Sequence, residues 1–329
     1  MAFIASGCGD GNKHHVDLSG HEVEIKIDRL EDDLFTVGST DDYLKLDQID
    51  SSLMRAFKRG IMGPETRDGF LPPEESAAGF MRFTSNKDMR HLYHSVDSAF
   101  PDLGEIEEEL SLAFSHYNYY FPNAVIPKFY SVVTPFRAHN ITTEKAMAIC
   151  LDMYLGPDFT PYQSPMLNFP NYLVKRFRPD YMVPNVVKAW VESDLERGSG
   201  DRLLDEMIFQ GKILYALDLL MPDLPDSLKI GYPNGKIEWC VQNEFQIWSH
   251  LIDENLLYSS DYRSFSGVIS DGPFSKGNNV PQESPPRVAV WAGWQIVREY
   301  MEKHPETTLK ELLASNDSEA ILHGSGYKP

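Results

Sequence analysis

The densest apolar stretch of the chain runs from Leu203 to Tyr258, and its pattern predicts two helices joined by a Pro/Gly-rich connection. In the first, Leu203, Leu204, Met207, Ile208, Ile213, Leu214, Leu217, Leu219 and Leu220 leave almost no polar face. A helix apolar all round belongs in the interior. Gln210 breaks the pattern, with Leu203, Met207, Ile213, Leu214 and Leu217 at its helical offsets. Glu244 repeats the anomaly in the second helix among Ile237, Cys240, Val241, Ile247, Trp248 and Leu251. A carboxylate in such a stripe is costly unless hydrogen-bonded or paired. Three readings are open here: an internal brace, a ligand pocket, or the remains of an active site. The brace leads, because buried polar pairs are more often structural than catalytic.

Elsewhere the pattern is mixed. In HEVEIKIDRLEDDLF, Val23, Ile25 and Ile27 alternate with charged residues, which predicts a strand or an extended edge. Leu44, Leu46, Ile49, Leu53, Met54 and Phe57 among acidic residues predict an amphipathic helix. GPETRDGFLPPEE reads as a loop, and helices follow at DMRHLYHSVDSAF and DLGEIEEELSLAFSHYNYYFP, the latter with Asp102 as its cap. AVIPKFYSVVTPF and AMAICLDMYLG are strand-like runs separated by a polar turn. Helices are predicted again from Val186 to Glu196, across PRVAVWAGWQIVREYMEKHP, and briefly at TTLKELLASND, with a long loop over DGPFSKGNNVPQESPPR. There is no internal repeat and no linker, so residues 21–329 read as a single domain behind a polar tether.

Composition narrows the possible partners. A formal charge of -19 argues against nucleic acid and against electrostatic docking on anionic lipid. Of the three cysteines, Cys150 and Cys240 lie in apolar runs and read as buried small hydrophobes. Cys8 differs. It closes MAFIASGC, a short apolar run ending on small residues, which resembles a bacterial lipobox whose cysteine takes a diacylglyceryl anchor. The run is shorter than a secretory core and lacks a basic start, so residues 1–20 read as a truncated lipoprotein signal and tether. No later segment is long and apolar enough to span a bilayer.

Candidate chemistry is sparse. His91 and His94 stand three apart on a predicted helix but lack a full ligand set, so they read as surface or interface residues. Asp152 and Asp271 read either as acids for catalysis or, at least equally, as a strand-end hydrogen bonder and a turn former. Arg298 has Trp291, Trp294 and Met301 at its helical offsets, so its stem packs and its guanidinium reaches inward. Glu244 is its expected partner, with Arg178, Lys212 and Arg287 as the other cations available to that acid.

DMYLG, RFRP, MIFQGKILYALDLLMP, EWCVQNEFQIWSHLIDENLLYSSD, DGPF, WAGWQIVREYM and the terminal SGYKP together resemble the gliding-motility lipoprotein family GldB of Bacteroidota. The likeness spans the chain from about His21 to Pro329. That family is similar, more distantly, to zinc proteases of the gluzincin type, which carry HExxH on a buried helix and a glutamate ligand on a following one. Two such histidines and a later carboxylate close three sides of a tetrahedral zinc, and the motif's glutamate is the general base.

On this chain the resemblance places FQGKI where HExxH would stand. Phe209 and Ile213 would replace the histidines, Gln210 the base, and Glu244 would remain as the third ligand. An internal polar cluster of Gln210, Glu244 and Arg298 is then expected in place of the metal. The implied fold is helix-rich α+β, a degenerate zincin-like architecture with a small mixed β-sheet. The implied protein is a pseudo-metalloprotease with no cofactor and no metal. It would be anchored to the cell envelope through Cys8, facing the periplasm. Its implied work is in gliding motility and type IX secretion, binding protein or peptide partners from those machineries. An extended peptide is expected along a strand edge near Phe129–Val133. The enzyme alternative is a zinc-dependent metallohydrolase or protease drawing on His91, His94, His116 or His250 together with Glu244. A scaffold that uses its surface instead of a cleft is the third possibility.

Overall fold

The computed structural model describes residues 14–61, 72–278 and 280–329. Cys8 and most of the loop read at GPETRDGFLPPEE therefore lie outside the described residues. The described residues form a helix-rich α+β structure with one small mixed sheet. They divide into two compact units: a sheet unit of residues 23–112 and 123–193, and a helical unit of residues up to 22, 113–122 and 194–329.

In the sheet unit, four strands lie in the order β1 (Ile27–Arg29), β2 (Lys128–Val132), β4 (Ala146–Cys150), β3 (Asn140–Thr142). β2 pairs in parallel with both β1 and β4, and β3 closes antiparallel on β4. Every residue of β4 is buried, as its unbroken AMAIC run requires of an interior strand. The expectation of a strand edge at Phe129–Val133 is corrected here: β2 is hydrogen-bonded on both sides, so the sheet's edges are β1 and β3.

Around the sheet the chain forms α1 (Leu30–Thr36), α2 (Thr40–Leu46), α3 (Ser51–Ile61), α4 (Pro73–Ser85), α5 (Lys87–Ala99), the first half of α6 (Gly104–Tyr120), α7 (Asn171–Val174) and α8 (Met182–Ser193). Tyr43, Phe57 and Phe80 stack as an aromatic core, with ring centroids 4.8 and 5.8 Å from Phe80. Three elements depart from the sequence expectation. LEDDLF is helix α1 instead of strand. The amphipathic helix predicted across Asp50 is two helices, because the Asp50 carboxylate accepts from the amides of Ser52 and Leu53 and starts α3. Helix α4 begins at Pro73 inside the stretch read as loop, since proline at the first helical position gives up only an amide that has no partner there.

Asp152 is fully buried and accepts from the amides of Thr134 (2.9 Å) and Phe136 (2.5 Å), so it is the hydrogen bonder expected after β4. Burial raises its pKa to about 6 against the lowering effect of those amides.

The helical unit is built on α9 (Leu203–Leu220), buried along nearly its whole length as its composition demands. Against it lies α14 (Val288–Lys303), the long amphipathic helix expected there. The two backbones meet at glycines. A Cβ on Gly211 would stand 2.5 Å from the carbonyl oxygen of Gly293, and one on Gly293 would stand 2.1 Å from that of Met207. The remaining helices are α10 (Asp226–Ile230), α11 (Lys236–Gln242), α12 (Glu244–Asp253), α13 (Tyr262–Ile269), α15 (Leu309–Ala314) and α16 (Ser318–Ser325).

The second predicted central helix is in fact the pair α11 and α12. They part at Asn243, whose backbone leaves the helical region (φ -116°, ψ 19°) while its side-chain amide (2.8 Å) shares the Trp239 carbonyl with its own backbone N–H (3.0 Å). Glu244 is therefore the first residue of a new helix, only half-buried, and not the middle of an apolar stripe.

The N-terminal stretch read as a tether rests on this unit from His14 onward. His15 Nε2 lies 3.1 Å from Asp223, and the ring of His21 is 5.2 Å from that of Tyr119.

Candidate functional site

The strongest polar constellation in the helical unit is centred on Asp218, near the C-terminal end of α9. Its carboxylate is buried and fully hydrogen-bonded. Oδ1 accepts from Lys229 Nζ (2.9 Å) and Arg298 Nη2 (2.8 Å); Oδ2 accepts from Arg298 Nε (2.7 Å) and Trp294 Nε1 (2.9 Å). Arg298 also donates to both oxygens of Asp226, at 2.9 and 3.0 Å, and its guanidinium lies 3.7 Å from the Trp294 ring centroid. Burial alone would raise the pKa of Asp218, but Arg298 and Lys229 outweigh it and hold the carboxyl below its ordinary range. With both oxygens occupied, this carboxylate is a brace with no lone pair facing a substrate.

The inward reach of Arg298 over Trp294 is as expected, but its partner is not. The expected pair of Glu244 with Arg298 does not form. Glu244 accepts instead from the phenol of Tyr327 at 2.7 Å, and that ring stands edge-on to Trp248 at 5.2 Å. Burial, then the charge of Glu244, raises the Tyr327 pKa well above its ordinary value, so the phenol remains the donor. Gln210, half-buried, donates to Glu206 Oε1 at 3.0 Å. Gln210, Glu244 and Arg298 are thus held by three separate sets of partners and do not form one cluster.

Of the other cations considered for Glu244, Arg178 pairs with Asp180 and Arg287 lies 3.8 Å from Asp271. Lys212 is buried and donates to the carbonyls of Leu313 (3.1 Å) and Ser315 (2.7 Å) at the C-terminal end of α15. That is where a cation meets the negative end of a helix dipole. Burial lowers its pKa to about 8.

The signal for Asp218 was present in the sequence: it is an acid inside LYALDLLMP, the same anomaly that singles out Gln210. Its partner Lys229, and Asp226, which shares Arg298 with it, lie on the short helix α10, where periodicity gives no sign of them.

A zinc ion does not fit the residues present at the FQGKI positions. Phe209 and Ile213 are buried hydrocarbon without donor atoms, Gln210 is engaged by Glu206, and Glu244 by Tyr327. Among the described residues no group of three or more His, Cys, Asp or Glu side chains is arranged to hold a metal. His91 and His94 are exposed on α5. His116, on α6, is buried with its Nδ1 lacking a partner among the described residues, and burial lowers its pKa. His250, on α12, has a buried Nε2 against Gly277. Cys150 and Cys240 are fully buried thiols, as expected.

The fold and its polar interior define a helix-rich α+β protein whose buried charges tie its own helices together. No helix among the described residues is long and apolar enough to cross a membrane. The family model described as "Gliding motility protein GldB" matches residues 11–329, and the chain belongs to that family of cell-envelope lipoproteins. Its place is with the machinery of gliding motility. No curated protein and no solved structure matches the chain.

Proposed function

We propose that this gliding motility protein works without catalysis, as a lipoprotein anchored through Cys8 and facing the periplasm. It would bind protein or peptide partners of the gliding and type IX secretion machinery on a degenerate zincin-like frame. The observation that carries this reading is the state of α9 at the FQGKI positions. Phe209 and Ile213 share one face of α9, both are buried, and neither offers a ligand atom; the Arg197 guanidinium lies 4.3 Å from the Phe209 ring centroid. A zinc hydrolase needs donor atoms at both positions and an open coordination site for water.

Two measurements on the full chain test it. In cells lacking the protein, a copy carrying Gln210→Ala and Glu244→Gln is expected to restore colony spreading and secretion to wild-type levels. Loss of both with normal abundance in the membrane fraction would refute the non-catalytic reading. Elemental analysis of the purified protein is expected to find substoichiometric zinc, and one zinc per chain would refute it equally. Cys8→Ser is expected to move the protein out of the membrane fraction.

A further inference from the structure

On α11 and α12 three large apolar side chains stand in water: Val241 is 60% exposed, Phe245 61% and Ile252 45%. Phe245 and Ile252, seven residues apart on α12, share one side of that helix, and Val241 precedes them on α11. Large apolar side chains left unburied by the chain's own packing mark a candidate site of association.

Beside it lies a groove of about 470 Å³. α11 and α12 supply Trp239, Phe245 and Ile247 to its lining; the connection before α14 and the first residue of α14 supply Val280, Pro281 and Val288. The volume falls within the range of small-molecule and side-chain pockets.

The charges in the lining select the occupant. Among the described residues Asp253 and Glu254 line the groove with His250, and no lysine or arginine does. Glu254 accepts from Asn278 at 3.0 Å, while the exposed carboxylate of Asp253 has no side-chain partner among the described residues. The chain as a whole carries a formal charge of -19, which favours the approach of a cationic segment. No strand contributes to the groove, so an extended peptide has no sheet edge to join there. An apolar groove walled by a helix is instead the receptor for an amphipathic helix.

We infer that the groove between α12 and the connection before α14 receives an amphipathic helix of a partner protein. The apolar face of that helix seats on Phe245, Trp239 and Val280, and a flanking lysine or arginine meets Asp253. The inference rests on the non-catalytic binding role proposed above and names its surface. A lipid surface is the less suitable occupant, because carboxylates at the rim are repelled by anionic headgroups.

The test uses the full chain and a synthetic helical peptide of leucine and lysine with all leucines on one face, followed by tryptophan fluorescence and calorimetry. Phe245→Ser and Asp253→Lys are each expected to weaken binding about tenfold, the effect of losing one well-placed anchor or ion pair. Both positions are exposed, so neither change burdens folding. Glu144→Lys, an exposed charge reversal in the sheet unit, is expected to leave the affinity within about twofold, as a site-specific contact requires. A peptide with glutamate in place of lysine is expected to prefer the Asp253→Lys variant over the wild type.

Equal weakening by Asp253→Lys and Glu144→Lys would reduce the effect to diffuse charge attraction and overturn the inference. So would indifference to Phe245→Ser, or Phe245-dependent binding to phosphatidylcholine vesicles in place of the peptide. Failure here leaves the non-catalytic role standing with its surface elsewhere. Stoichiometric zinc would remove that role without changing the peptide result.

Discussion

Replacing Gly293 with alanine isolates the contact on which the helical unit is built. The new methyl group would lie 2.1 Å from the carbonyl oxygen of Met207, and the matching change at Gly211 would place one 2.5 Å from that of Gly293. Ordinary contact begins near 3.5 Å, so α9 and α14 must separate by roughly 1 Å. The obstructing atoms are backbone, and no side-chain rotation relieves them. A separation of that size forfeits about a quarter to a half of the dispersion well along the interface, and overpacking of this kind costs about 1–3 kcal/mol or more. Against this, alanine gains about 1 kcal/mol over glycine in helix propensity. With backbone on both sides the steric cost falls at the upper end of that range, about 3 kcal/mol, so the expected net loss is about 2 kcal/mol.

Gly60 in α3 is the control, because it is exposed and a Cβ there meets nothing within 4 Å among the described residues. Gly60→Ala is expected to stabilise by up to about 1 kcal/mol, so the same substitution changes sign with its surroundings. Urea unfolding followed by tryptophan fluorescence reads mainly the helical unit, which holds Trp239, Trp248, Trp291 and Trp294, with Trp190 in the sheet unit; a Trp190→Phe background makes the signal specific, and circular dichroism reads both units. The midpoint should fall for Gly293→Ala and Gly211→Ala at unchanged slope. A Gly293→Ala protein as stable as the wild type would refute the close approach of the two helices.

Arg298→Met leaves Asp218 with Lys229 and Trp294 alone and strips Asp226 of its bidentate partner; urea unfolding should show a loss of about 3–5 kcal/mol. Lys212 gives a pH signature. Its pKa falls from an ordinary 10.5 to about 8 in the folded chain, so between those values the unfolded state binds the extra proton. The penalty is therefore complete below pH 8, and stability rises by up to about 3 kcal/mol toward pH 10.5. Lys212→Met should abolish that rise, as the difference between the two pH–stability curves will show.

The sequence disclosed best what one segment decides alone. The burial of α9 follows from its leucines, and the inward turn of Arg298 follows from Trp294 one turn away. The place of Glu244 at a helix start is illegible in the sequence, because periodicity carries no mark of the non-helical backbone at Asn243 that ends α11. Helix α4 was hidden by a Pro-Pro pair that reads as loop, although the second proline starts the helix. The partners of Arg298 and the interior place of β2 depend on residues far apart in the chain, since β1 meets β2 through Ile27 and Phe129. Such pairings are decided by the folded structure and leave little local trace.

The docking of His14 to His21 on the helical unit would limit the movement of a chain anchored through Cys8. His15 is fastened to Asp223, and the carbonyl of His21 accepts from Asn118 at 3.2 Å. From Cys8 to His15 a fully stretched chain reaches about 25 Å. A lipid on Cys8 would therefore hold the protein on a short leash fixed to the helical unit. The body would ride close above the bilayer, and whatever it recruits would have to be found within that narrow layer.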